Sequence, residues 1–286
     1  MSDRSPLVPL QPDGDRAPLF LFPGIGGEFF SLAALVRHLH PAQPVYGLRG
    51  QGPDLPPGSS LVIESMAAIY VDAIRQVQPA GPYLMAAYSA GCMLAYEAAQ
   101  QLLAGGGQIA LLAMIDAEVP REIVPLVRWA PAWVLRFPRN LAFWIVDDLL
   151  ASNTADLLVR ARSKIRLVRA WTRRDAPGVP GGGPQSDVRD RLGVPLLPER
   201  YAPWIEAFLD ALGRYHPRPY PGRIVLLSAR TQPLFGNLAR DKGWGAFAQD
   251  GVDVRVIAGD HANILREPRV RLLAAALTRA ADEAAS

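Results

Sequence analysis

Short, uninterrupted apolar runs recur along this chain and alternate with segments of helical period. That alternation restricts the fold more than any other feature. The runs are Leu19–Phe22, Val45–Leu48, Tyr83–Ala87, Ala110–Ile115 and Ile224–Ala229, and Val252–Ile257 reads as a further strand. A strand that is apolar on both sides has to be covered on both faces, as in a parallel sheet held between two layers of helix. Helices are expected near Phe29–His40, over 62–77, over Gly91–Ala104 and from about Pro268 onward. In 62–77 the residues Val62, Met66, Ile69, Ala73 and Val77 are spaced as one apolar stripe.

The alternation stops between Pro120 and about Arg214. This stretch reads as helical, contains Trp129, Trp133, Trp144, Trp171 and Trp204, and is broken by the Gly-rich loop Pro177–Pro184. An insertion between two sheet strands accounts for it most simply. The expected architecture is therefore an α/β fold, a mostly parallel sheet flanked by helices with an inserted helical lid. Its core would span 18–119 and 215–286, and its lid 120–214. Residues 1–17, with Pro6, Pro9, Pro12 and an Asp13-Gly14-Asp15 turn, read as an extended linker or arm.

Composition excludes several functions. With 286 residues and half of them apolar, the core is ample. Thirty Lys and Arg against 27 Asp and Glu give a net charge of +3, too balanced for a general nucleic-acid binder. Only Lys164 and Lys242 are lysines, a skew toward arginine that reads as genome composition. Cys92 is alone, so no disulfide can form within the chain, and one Cys with four scattered His offers no metal cluster. No apolar run approaches the roughly 20 residues that span a bilayer, and residues 1–16 lack a signal peptide's apolar segment. A cytoplasmic location, with neither nucleic-acid nor membrane partners, is the expectation.

The sharpest local signal is Ala87-Tyr88-Ser89-Ala90-Gly91, between a buried strand and a helix. A serine hydroxyl becomes a useful nucleophile only when it is exposed on a tight turn and paired with a base, and a strand–turn–helix elbow provides the turn. Taken alone, the pentapeptide could equally be a capping serine; the flanking patterns favour the elbow. Cys92, on the first helical turn, reads as a packed small residue and not as a reactive thiol. Gly259-Asp260-His261 follows the last strand, at the sheet's carboxyl rim where open α/β sheets build their sites. His261 is the expected base, and His38, His40 and His216 are read as structural.

The acid should lie between Ser89 and His261. Asp116 ends the strand Ala110–Ile115 and is preferred over Asp241, which is far from a strand end, and Asp260, which adjoins the base. Two backbone N–H groups are required for an oxyanion hole. Ala90 follows the nucleophile, and Ile25, with Gly24 behind it, lies in the loop Phe22-Pro23-Gly24-Ile25-Gly26-Gly27. A phosphate cradle is the alternative for that loop, but it lacks the P-loop lysine and the dinucleotide spacing.

Taken together, Gly81-Pro82-Tyr83-Leu84 through Ser89 to Ala95-Tyr96-Glu97 resembles the thioesterase domains of nonribosomal peptide synthetases and polyketide synthases. So do Pro44-Val45-Tyr46-Gly47-Leu48, Asp116, Gly243-Trp244, Gly259-Asp260-His261 and Arg266-Glu267-Pro268, while Pro6-Leu7-Val8-Pro9-Leu10 is similar to the linker preceding them. The family usually has glycine where this chain has Ala87, and often a second glycine where it has Cys92. The resemblance implies an α/β-hydrolase fold with its acid at Asp116. It also implies an acyl thioester delivered on the phosphopantetheine arm of an acyl or peptidyl carrier protein, in cis or in trans, with no cofactor bound by the chain itself. A basic face near 156–174, Arg166 and Arg169 included, is either a solvated helix face or a docking surface for an acidic carrier. The alternatives are a stand-alone editing thioesterase or acyltransferase, a carboxylesterase, and a binding module that has lost catalysis.

Overall fold

The computed structural model describes residues 5–25, 30–50, 60–119, 143, 201–232, 239–261 and 263–285. Their strands are β1 (Leu7–Gln11), β2 (Leu19–Phe22), β3 (Val45–Leu48), β4 (Tyr83–Tyr88), β5 (Ile109–Ile115), β6 (Ile224–Ala229) and β7 (Val252–Ile257). The helices are α1 (Phe30–Val36), α2 (Ile63–Val77), α3 (Gly91–Ala104), α4 (Ala202–Arg214) and α5 (Arg269–Ala284). The strands make one sheet in the order β1-β3-β2-β4-β5-β6-β7. Every pairing is parallel except β1 with β3.

Period-two alternation divides the core. From β4 and β5, Tyr83, Met85, Ala87, Leu112 and Met114 point to one layer, which α2, α3 and α4 cover. Leu84, Ala86, Leu111, Ala113 and Ile115 point to the other, closed by α1 and α5. With β4 and β5 in the middle of the sheet and buried on both sides, their carboxyl ends form a fixed platform. No helix among the described residues is long and apolar enough to cross a membrane.

Three expectations need correction. Residues 7–11 are not a free arm: they form β1, with Leu7 opposite Leu48 and Pro9 opposite Tyr46, and the register shifts between Pro9 and Gln11. Proline lacks an N–H, so a strand containing it survives only at a sheet edge or a bulge, and β1 has both. The second concerns α2: Met66 and Ala73 of the expected stripe are buried, but Val62, Ile69 and Val77 are 46%, 44% and 37% exposed, and the buried face is completed by Ile63, Ala67, Tyr70, Val71 and Ile74. The two series share helical spacing; the one with alanines and Tyr70 is the one that allows α2 close to its neighbour α3.

The third lies at the end of the expected lid. Helix α4 buries Trp204, Ile205, Phe208 and Ala211 in the same core layer as Phe22, Tyr70 and Leu94. The Trp204 and Phe208 rings stack with centroids 5.0 Å apart. Residues 201–214 therefore pack into the core: helical periodicity identifies an apolar face but not the surface that receives it. Arg166, Arg169, Trp129, Trp133, Trp144 and Trp171 lie outside the described residues.

Candidate active site

Ser89 sits between β4 and α3 with φ at +55°, in the left-handed region that side-chain-bearing residues seldom occupy. Its N–H donates to the Ile115 carbonyl at 3.0 Å, and its own carbonyl accepts from Cys92 N–H at 3.0 Å. The turn is therefore fixed from β5 and from α3. A Cβ built on Gly91 would lie 2.1 Å from the Pro23 carbonyl oxygen, so only glycine allows α3 this close to the end of β2. Ala87 is buried between Phe22 and Met114 in the ladder. The Cys92 thiol donates to the Ala87 carbonyl at 3.1 Å, and burial pushes its pKa well above the ordinary thiol value. A buried, protonated thiol of this kind is a packing group.

His261 stands in the turn after β7, at the same rim. Its Nδ1 is 2.8 Å from Asp116 Oδ2 and its Nε2 is 3.0 Å from Ser89 Oγ. An ionised carboxylate can only accept, so Nδ1 carries the proton and Nε2 is left to accept from the serine hydroxyl. Gly259 holds φ at +114°, and a Cβ there would lie 2.4 Å from Asn263 Oδ1. Asp260 accepts from both the backbone and the side-chain amide of Asn263, at 2.9 and 2.7 Å, and so braces the histidine turn. Asp241 likewise accepts from Gly243 and Gly245 N–H, at 3.1 and 3.2 Å.

Asp116 turns off the end of β5 with φ at +51°, its N–H donating to Leu227 O at 3.0 Å. Oδ1 accepts from Ala229 N–H at 2.8 Å and from the ammonium of Lys242, with Gln232 Nε2 at 3.5 Å. Burial alone would raise the pKa of this carboxyl. The Lys242 charge, and after it the His261 contact, reverse that and hold Asp116 well below the usual carboxylate range.

Two side chains at the site carried no sequence signal of their own. The Tyr88 ring stacks on His261 with centroids 5.0 Å apart, and its hydroxyl donates to the His261 carbonyl at 2.7 Å. Lys242 lies in a polar loop between β6 and β7, with nothing periodic around it. The β2 loop reaches the elbow at Gly24, where a Cβ would be 3.6 Å from Ser89 Cβ. Ile25 follows, buried, and Ala90 adopts αR geometry at the start of α3. Beside this loop is a small apolar cavity lined by Phe22, Gly24, Tyr70, Leu94, Trp204 and Phe208. The buried Trp204 indole nitrogen has no hydrogen-bond partner among the described residues. His38 and His40 serve the scaffold: His38 Nε2 is 2.5 Å from Glu267 Oε1, and His40 Nδ1 accepts from Ala42 N–H at 3.1 Å.

Residues 17–132 match the family model described as thioesterase domain. The chain is 26% identical over 98% of its length to chondramide synthase cmdD of Chondromyces crocatus, and 37% identical over 93% to the non-reducing polyketide synthase PKS16 of Cladonia grayi. It spans only 7% and 12% of those two proteins. Among solved structures, it aligns with the NocB thioesterase domain in covalent complex with a fluorophosphonate nocardicin G analog. There the TM-score is 0.61 and the identity 20%, over 96% of this chain and 98% of that one. The thioesterase domain SrfTE, which cyclizes the lipopeptide antibiotic surfactin, gives a TM-score of 0.56 at 18% identity, over 96% of this chain and 94% of that one. These likenesses establish an α/β-hydrolase fold.

Proposed function

Because the chain belongs to the thioesterase-domain family of nonribosomal peptide and polyketide synthases, we propose that it is a serine thioesterase that releases an acyl or peptidyl chain from the phosphopantetheine arm of a carrier protein. The observation that carries the reading is the continuous relay from Ser89 through His261 to Asp116, with contacts of 3.0 and 2.8 Å. Ser89 Oγ attacks the thioester carbonyl carbon as His261 Nε2 takes its proton, and Asp116 stabilises the imidazolium while staying ionised. The oxyanion is held by the N–H groups of Ile25 and Ala90. This assignment is supported by Ala90 at the head of α3 and by the packing of Gly24 on the elbow. Collapse breaks the carbon–sulfur bond, and His261 returns the proton to the departing thiolate. Water, or a hydroxyl or amine of the chain itself, then attacks the acyl-serine with His261 again as base; the bond from the acyl carbon to Ser89 Oγ breaks, and His261 returns the proton to Oγ.

The protein contributes no cofactor in this scheme; phosphopantetheine belongs to the carrier. Arg166 and Arg169 are assigned to docking that carrier, whose acidic surface would meet their positive charge. The test is the intact mass after incubation with a serine-directed fluorophosphonate. One adduct on the wild type and none on Ser89→Ala is expected, with thioesters turned over in preference to oxygen esters. A folded wild type that takes no adduct would overturn the catalytic reading in favour of a binding module.

A further inference from the structure

Of 30 basic residues only two are lysines, and one of them is buried at the candidate site. Lys242 is 4% exposed, and its ammonium rests on Asp116 Oδ1, the oxygen that does not face His261. The loop that carries it is tied to the segment leaving Asp116. Val119 N–H donates to the Lys242 carbonyl at 3.1 Å, and Trp244 Nε1 donates to Ala117 O at 3.0 Å. Lys242 and Gly243 both hold left-handed backbone, at φ +52° and +89°, a turn braced by the Asp241 carboxylate. The geometry is that of a dedicated clamp. A compact ammonium fits where a planar, five-donor guanidinium would need more room and more partners.

The geometry points to Lys242 as the positioning cation of the acid: it anchors Asp116 Oδ1, leaves Oδ2 aimed at His261, and partly offsets the negative charge that the imidazolium would otherwise have to itself. This rests on the serine thioesterase reading and deepens it. Two consequences follow. The clamp keeps a buried carboxylate ionised and oriented, which favours catalysis. It also shares the charge of Asp116, whose Oδ1 meets Lys242 while Oδ2 meets His261, so that a protonated His261 is not the carboxylate's sole counter-ion.

Among the described residues the other groups around the pair do not contact the acid as Lys242 does. Tyr88 and Cys92 are held neutral by burial, Asp260 is engaged with Asn263, and Arg266 exerts its charge on Tyr88. Lys242 is the cation in direct contact with the acid among the described residues.

The experiment is the pH dependence of Ser89 phosphonylation by a fluorophosphonate, followed by intact mass, which requires no knowledge of the acyl chain. In Lys242→Met the acid limb of the rate moves to higher pH by about one unit, because the imidazolium becomes the sole counter-ion of a buried carboxylate. Lys242→Arg keeps the charge and leaves the limb in place even where packing lowers the plateau. Should the methionine variant not fold, Lys242→Gln, which can still donate to Oδ1, gives the same shift. A lower plateau with an unmoved limb in the neutral variant, Ser89 still labelled, would mean that Lys242 only braces its loop, and would overturn the inference alone. A wild type without an adduct at Ser89 would overturn the thioesterase reading and this inference with it.

Discussion

The Tyr88 ring lies flat against the His261 ring, the planes 18° apart, and its hydroxyl holds the His261 carbonyl at 2.7 Å. The residue before the nucleophile therefore fixes both the ring and the backbone of the base. Tyr88→Phe keeps the stack and loses one hydrogen bond, worth about 1 kcal/mol. Phosphonylation of Ser89 should slow about fivefold without a change in melting temperature beyond a few degrees. An unchanged rate would show that the stack alone positions the histidine.

Asp116→Asn removes the charge but keeps the shape. Its amide can donate to His261 and favour the wrong tautomer, and a loss in kcat of about 10⁴ is expected. Combining it with Ser89→Ala should cost little beyond the serine change alone, because the three groups act as a unit. Steady-state thioester hydrolysis by the single and double variants checks this.

Stability should carry the signature of the same carboxylate. Its pKa is depressed in the folded protein, so its contribution is fully present above the unfolded value near about 3.9. That contribution is lost as pH falls below this value toward the folded one. Between about pH 5 and pH 3 the wild type should lose more melting temperature than Asp116→Asn does. Parallel losses would mean that Asp116 is not held ionised by its surroundings.

Gly91→Ala would press a methyl against the Pro23 carbonyl, 2.1 Å away. Overpacking against backbone costs about 2 kcal/mol or more. A melting temperature lower by roughly 5 °C or more and slower labelling of Ser89 are the expected results.

Reversing the charge at Arg166 and Arg169 should lower kcat/KM for a carrier-bound thioester about tenfold while sparing a small soluble thioester. Equal effects on both substrates would remove these arginines from carrier docking.

What could be read from the residues followed from the physics of each segment. β2 through β6 announce themselves because strands covered on both faces are apolar nearly throughout, whereas β7 shows only an alternation of Val252, Val254 and Val256 with Asp253 and Arg255; Ser89, Asp116 and His261 each follow the end of one of these strands. β1 is hidden by its prolines, which a sheet edge tolerates. The face of α2 and the partner of α4 are decided by packing, which spacing alone does not encode. Tyr88 and Lys242 are single residues whose roles exist only once distant segments meet.

The bonds from Ser89 N–H to Ile115 O and from Asp116 N–H to Leu227 O peg nucleophile and acid to the adjacent strands. Parallel strands sit about 4.8 Å apart, so the sheet itself works as a ruler, and one imidazole is the length it measures. Both pegs are backbone bonds, so the spacing of nucleophile and acid is set by the sheet and not by the side chains that line the site.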